Sequence, residues 1–304
     1  MQFKNVIPYR LTGEFPLTSE QLEEKLAEQQ FTPCGSQDLS RYGWVSPSNG
    51  LSDMLTHEAH GAILICAQKE EKIIPPKEVK RLVEEKAKLI EKEQARKVYR
   101  KERDQLKDEV VMDMLPRAFS RFSQVHALIL PQHGWVIVDS ATHKKAEELL
   151  SYLRGTLGTL PIQLPDVKHS PSAIMSQWVE TSSPRPKGVE ILDEAQMRDN
   201  LVEGGVITIK GQELVSDEFV AHLEAGKRVV KLAIEWEESI RFKLSEDLTL
   251  KQIKFTDQLK ERMDQESNED QLAQFDSDVA LHSAEYARLI PLIVEAFGGF
   301  AEAP

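Results

Sequence analysis

Residues 70–110 read EEKIIPPKEVKRLVEEKAKLIEKEQARKVYRKERDQLKDEV, and LPRAFSRFSQ follows at 115–124. Pro75 and Pro76 suit the first turn of a helix. Apolar residues then recur at helical spacing: Val79, Leu82, Val83, Leu89, Ile90, Val98, Leu106, Val110 and Met114. No Gly or Pro interrupts them before Pro116. The pattern predicts helix over 77–115, roughly 60 Å long if straight, at about 1.5 Å per residue. The apolar stripe thins between Glu91 and Gln105, which predicts a bend or break there. That same stretch is the most basic, with Arg96, Lys97, Arg100, Lys101 and Arg103.

Charge sets this band apart. Lys69 to Lys107 holds 14 Lys/Arg against 9 Asp/Glu, inside a chain of formal charge -12. By region, residues 1–68 carry -4, residues 69–189 carry +5 and residues 190–304 carry -13. A net-positive band in an acidic chain is explained most economically by a polyanionic partner. The plainer reading is a solvated helix laced with i,i+4 pairs such as Glu84–Lys88 and Glu93–Lys97.

The 304 residues allow two or three compact units. We divide them by surface chemistry into an N-terminal α+β region (1–68), a central basic region (69–180) and an acidic α+β region (181–304). TSSPRPKG at 181–188 reads as a linker. At 40% hydrophobic and 29% charged, the composition is that of a soluble globular protein. No apolar run approaches the roughly 20 residues a membrane span needs. MQFKNVIPYRLTGEF lacks a signal-peptide layout, and two cysteines make no disulfide framework, so a cytoplasmic location is expected.

Elsewhere, QFKNVIPY (2–9) reads as an edge strand because it carries a proline. Thr18 opens a helix through about Gln30. Trp44-Val45 starts a strand, and AILICA (62–67) is a buried one. VHALIL and GWVIVDS form a hairpin across PQHG. Residues 142–154 are an amphipathic helix that Thr142 can cap. LDEAQMRDNLVE (192–203) reads as helix, VITIK as strand, and DEFVAHLEAGK as a helix ending near Gly226. VVKLAIEW, SIRFKL and LKQIKF alternate as strands, and 270–297 is helix. Strands and helices intermix without a βαβ repeat, so the fold class is α+β with mixed antiparallel sheets and a long basic helical segment.

The blocks FTPCGSQD (31–38), GWV (43–45), EEKI-P (70–75), EQARK (93–97), LKDEV (106–110), LPRAFSRFSQ (115–124), KKAE (144–147), LDEA (192–195), GGVI (204–207) and EAGK-x-V-x-KLA (224–233) resemble the RdgC family of bacterial recombination-associated proteins. The resemblance implies a homodimer closed into a ring whose positive hole holds double-stranded DNA without sequence preference. It also implies functional antagonism of the RecA recombinase and association with the nucleoid. Family basic positions recur at Lys72, Arg96, Lys97, Arg117, Arg121, Lys210, Lys227 and Lys231. A family phenylalanine that helps close the dimer matches Phe119, with Phe122 beside it. Without the resemblance, Phe119 and Phe122 read as two core aromatics three apart on one helical face, flanked by Arg117 and Arg121 at i,i+4. Lys210 precedes Gly211 and is expected to project from a turn.

Catalytic signatures are sparse. The sequence has no GxxxxGK[ST], no HExxH and no paired CxxC, so no nucleotide, metal or other cofactor is expected. No membrane partner and no small-molecule substrate is expected either. Cys34 with His57 or His60 could serve as nucleophile and base, but no orienting third group is recognisable. His57 and His60, at i,i+3, make a weak metal pair. Glu235, Glu237 and Glu238 lack the context of a two-metal nuclease. The competing non-enzymatic reading is a helical interaction protein that binds an acidic protein partner.

Overall fold

The periodic segment after Pro75 forms two helices, α2 (Pro76–Gln94) and α3 (Arg100–Met114). The break falls where the apolar stripe thins. Ala95 ends α2 in the left-handed region at φ 52. Val98 then turns inward to join Val79, Val83, Ala87, Leu106 and Val110 in a small core between the helices. Its amide donates to Glu91 Oε1 at 3.0 Å. The basic stretch therefore becomes the tip of a helical hairpin. Glu84 pairs across the hairpin with Arg103 at 2.6 Å, not with Lys88, and Lys97 lies beyond the end of α2.

This computed structural model describes residues 3–180, 184–199, 204–257, 259 and 270–301. The first three residues of the 181–188 linker lie outside them. Charge divides the chain into consecutive regions, whereas packing divides it into two interleaved units.

The smaller unit comprises Ala27–Val45 and Ala67–Gln124. It holds the hairpin and strand β2 (Ser40–Val45), with parts of β4 (Ala62–Lys72) and β5 (Ser120–Leu130), ordered β2-β4-β5. Trp44 and Val45 end β2; they do not begin it. FSRFSQ is not helical: Phe119 lies between a 3-10 turn at Leu115–Arg117 and β5, which begins at Ser120. Pro116 removes the donor needed to continue α3, and alternation takes over.

The larger unit comprises Met1–Leu26, Ser46–Cys66 and Val125–Pro304. Its remaining strands are β1 (Asn5–Leu11), β3 (Thr56–Ala59), β6 (Trp135–Asp139), β7 (Ile162–Gln163), β8 (Val189–Asp199), β9 (Val206–Lys210), β10 (Lys227–Trp236), β11 (Ile240–Ser245) and β12 (Leu250–Phe255). They follow the order β4-β5-β6-β1-β12-β11-β10-β8-β9, with β3 beside β4 and β7 beside β1. The helices are α1 (Ser19–Ala27), α4 (His143–Leu157), α5 (Pro171–Val179), α6 (Asp217–Glu224) and α7 (Gln271–Ala296). Thr142 precedes α4 without a side-chain capping bond.

Two expectations fail here for identifiable reasons. β1 is a central strand, not an edge strand: its register with β6 pairs Pro8 with Ile137. The missing donor is tolerated because the opposite side of β1 meets β12 at Asn5 and Val6 and β7 at Arg10 and Leu11, leaving Pro8 in the gap. Residues 192–199 are strand, not helix. Ala195 and Met197 are buried while Glu194, Gln196 and Arg198 alternate with them, and that period of two outweighs the helix propensity of Leu, Glu, Ala and Gln.

One sheet face is apolar. Met197, Leu232, Ile234, Trp236, Ile240, Phe242, Leu244 and Ile253 belong to the core shared with Met175 and Trp178 of α5, Phe219 of α6, and Tyr286, Leu289 and Ile293 of α7. The other face over β8–β12 carries the charges.

Candidate nucleic-acid interface

Alternation dictates that face. Across β8 and β9, Glu194 pairs with Lys210 and Gln196 with Thr208. Across β10 and β11, Lys231 opposes Ser245, and Ala233 opposes Lys243. Lys243 in turn opposes Lys251, and Arg241 opposes Lys254. Lys251 and Lys254, three apart, would point to opposite faces of a regular strand. A bulge with Gln252 at φ 54 restores both to the face shared by Arg241 and Lys243. The amides of Gln252 and Ile253 are held by Asn5 Oδ1 at 3.2 Å and the Lys4 carbonyl at 2.9 Å.

Lys210, Lys231, Lys243 and Lys251 thus line one groove of ≈ 220 Å³, floored by Ala233. Of these, Lys243 is ion-paired, to Glu194 at 2.5 Å. That bond, then the fields of Lys243, Lys210 and Lys254, hold the Glu194 carboxyl below its ordinary range. Sequence reasoning missed Lys243, Lys251 and Lys254. In SIRFKL the alternation of Arg241 and Lys243 with Phe242 and Leu244 signals the first; the bulge that recruits the other two has no sequence signal.

Lys227 and Lys231, four apart, would share a face on a regular strand. A second bulge separates them: Val229 pairs with Met197, but Lys231 pairs with Gln196. Lys227, opposite Asp199, is in line with buried Val229 and Met197, and Lys231 is in line with Glu194. Ser176 Oγ accepts the Val229 amide at 2.9 Å at this bulge. Lys210 ends β9 before Gly211, at φ 66.

In the smaller unit, Arg96 and Lys97 sit at the exposed hairpin tip. Arg96 chelates Glu102 through two nitrogens, at 2.7 and 2.6 Å, and this lowers the Glu102 carboxyl's pKa. Arg121 bonds Glu71 at 2.8 Å. Lys72 approaches Glu70 at 3.9 Å. Lys97 and Arg117 have no ion pair among the described residues. The Arg96 and Arg121 pairs are open to solvent, and such pairs contribute about 0–1 kcal/mol and exchange readily for a phosphate, whereas Lys72 and Glu70 are largely covered.

Phe119 is 85% exposed and Phe122 56%, so neither is a core residue. Phe122 still packs edge-on against Phe31, with ring centroids 6.5 Å apart. Around Phe119 the strand ends bring Leu39 and Ile73, which are also exposed. The Lys72 amide donates to the Leu39 carbonyl at 2.9 Å, and the Ile73 amide to the Phe119 carbonyl at 2.8 Å. Buried Glu70 fixes these ends: it accepts the Cys34 amide at 2.7 Å and the Ser120 hydroxyl at 2.5 Å. FTPCGSQD, EEKI-P and LPRAFSRFSQ, far apart in sequence, therefore meet at one carboxylate.

The enzyme readings gain nothing from the local chemistry. Burial, then the Glu70 charge, push the Cys34 thiol up, away from a reactive thiolate. His57 lies in β3, 3.3 Å from Asp276. Glu235 bonds Arg241, and Glu237 bonds Arg288. Among the described residues no group of three or more His, Cys, Asp or Glu side chains is placed to hold a metal ion, and no helix is long and apolar enough to cross a membrane.

Comparison with known proteins matches residues 1–300 to a family model described as "Putative exonuclease, RdgC". The chain is 44% identical, over 300 residues and 99% of both chains, to the recombination-associated protein RdgC of Salmonella typhimurium strain LT2. The same figures hold for the Salmonella typhi and Salmonella newport proteins of that name. Whole-length coverage at that identity, on an antiparallel α+β fold, places the chain in the RdgC family.

Proposed function

We propose that this chain is a sequence-independent duplex DNA-binding protein that modulates homologous recombination. On this reading it closes as a homodimeric ring around DNA and limits RecA access. The observation that carries the proposal is the groove where Lys210, Lys231, Lys243 and Lys251 share one open sheet face within an otherwise acidic region. Four ammonium groups on a flat face suit phosphates, which carry no sequence information directly. Lys72, Arg96, Lys97, Arg117 and Arg121 are proposed further phosphate contacts. The recombination-associated names of the relatives favour a DNA partner over an acidic protein.

Phe119, with Leu39 and Ile73, is the proposed dimer contact. Three exposed apolar side chains at adjoining strand ends are an economical seam. The reading is non-enzymatic, and it is tested against the nuclease alternative directly. Light scattering should give twice the 34.5 kDa chain mass. Two unrelated duplexes should shift equally and remain intact with magnesium present. A monomer would remove the ring, sequence preference would remove the phosphate reading, and magnesium-dependent shortening of the duplex would establish a nuclease.

A further inference from the structure

The lysine groove contains its own anion. Glu194 stands on β8 opposite Lys210 of β9, one residue before Ala195, which pairs with Leu232 of β10. Its carboxylate bonds Lys243 on β11, at 2.5 Å, in the groove that also holds the small Ala233, the β10 partner of Lys243. Both side chains are partly open to solvent, at 34% and 23% exposure, so the bond can be broken from outside. The neighbouring Lys210, Lys231 and Lys251 are not ion-paired among the described residues.

We infer that Glu194 is an internal counter-ion, occupying Lys243 in the free protein and displaced from it when a DNA phosphate enters the groove. The inference rests on the duplex-binding reading above and adds a device that moderates affinity at that site. A carboxylate among four lysines does two things to binding. It repels the incoming phosphate, and it replaces one of the salt ions that DNA binding would otherwise release. Each phosphate neutralised by a free cation contributes about 0.9 to the slope of log affinity against log salt. A lysine already neutralised by a fixed carboxylate contributes less, because the contact only exchanges one anion for another. Glu194 thereby trades grip for exchange, which suits a protein that must hold any sequence yet be removable.

The test is Glu194→Gln, which keeps the shape and removes the charge. Duplex affinity should rise about five- to tenfold at 50 mM salt, from the removal of one nearby like charge at the surface. The salt slope should steepen by up to one unit. Circular dichroism and a urea midpoint establish that the variant is folded. Wild-type binding with no gain in affinity or slope for Glu194→Gln overturns the counter-ion role. A lowered urea midpoint with unchanged slope would make the bond a strand tie and likewise overturn it. Failure of the wild type itself to bind duplex would sink the functional reading on which this one rests.

Discussion

Phe119→Ala separates an interface residue from a core residue. At 85% exposure, Phe119 adds little to the stability of one chain. Its loss should therefore change the unfolding free energy by no more than about 0.5 kcal/mol, as for surface substitutions generally. In the dimer the same ring would be covered. Burying a phenylalanine is worth about 1.5–3 kcal/mol, so we take about 2 kcal/mol per copy. That raises the dimer dissociation constant about 30-fold for each copy at the seam, at 1.4 kcal/mol per tenfold. Sedimentation velocity over a dilution series reads the dissociation constant, and urea unfolding of the same samples reads the fold. Unchanged dimerisation in a folded variant would refute the seam. A variant that unfolds would show that Phe119 supports its own chain, contrary to its exposure. Phe122→Ala, with its ring against Phe31, should cost some fold stability in addition.

Three further outcomes follow from the packing. Glu70→Ala strands the Cys34 amide and the Ser120 hydroxyl, and should lower stability by about 2 kcal/mol in urea unfolding; an unchanged midpoint would mean the three motifs do not depend on that carboxylate. Burial drops the His282 pKa to about 4 from its ordinary 6.5, so the unfolded chain binds a proton that the folded one refuses. Its contribution is complete above pH 6.5 and is lost as pH falls toward 4, by up to about 3 kcal/mol; His282→Gln should flatten that part of the stability–pH curve, and an equally steep curve would assign the loss to carboxylates. Glu238 holds φ 52 in the turn between β10 and β11, so Glu238→Gly should stabilise the protein by about 0.5–1 kcal/mol, and a lower urea midpoint would contradict this.

Much of the fold could be read from period alone. The helix break after Glu91, the β5–β6 hairpin and the strands β10 to β12 follow from where apolar residues recur. The failures have physical causes. LDEAQMRD has helical composition but a strand's alternation, and the buried face of the sheet decides. Pro8 marks an edge only if both neighbours are continuous, and here β12 and β7 leave a gap. For the candidate site, the basic band was visible as charge. The lysine groove was not, because Lys210, Lys231, Lys243 and Lys251 come together only through five strands and two bulges. K-x-V-x-K at 227–231 even suggests the wrong grouping, since the bulge between Val229 and Lys231 turns the two lysines apart. Glu70 was unremarkable within a charged run, and only burial distinguishes it. Lys260, whose acidic neighbourhood in the sequence suggests a lysine outside the DNA-holding surface, lies outside the described residues; Lys145, exposed on α4, serves as the control instead.

Phosphate-driven binding by the lysine groove is tested most directly by the salt dependence of duplex affinity. Binding isotherms for two duplexes of unrelated sequence, at salt from 50 to 200 mM, give the slope of log affinity against log salt. Parallel steep lines are expected, with a loss of roughly 10³-fold or more across that range if about six or more phosphates are neutralised. Lys210→Ala, Lys231→Ala and Lys251→Ala should each lower the slope by about one unit for both duplexes, while Lys145→Ala leaves it unchanged. A flat response, or a slope lowered equally by Lys145→Ala, would contradict the groove as the place where DNA is held.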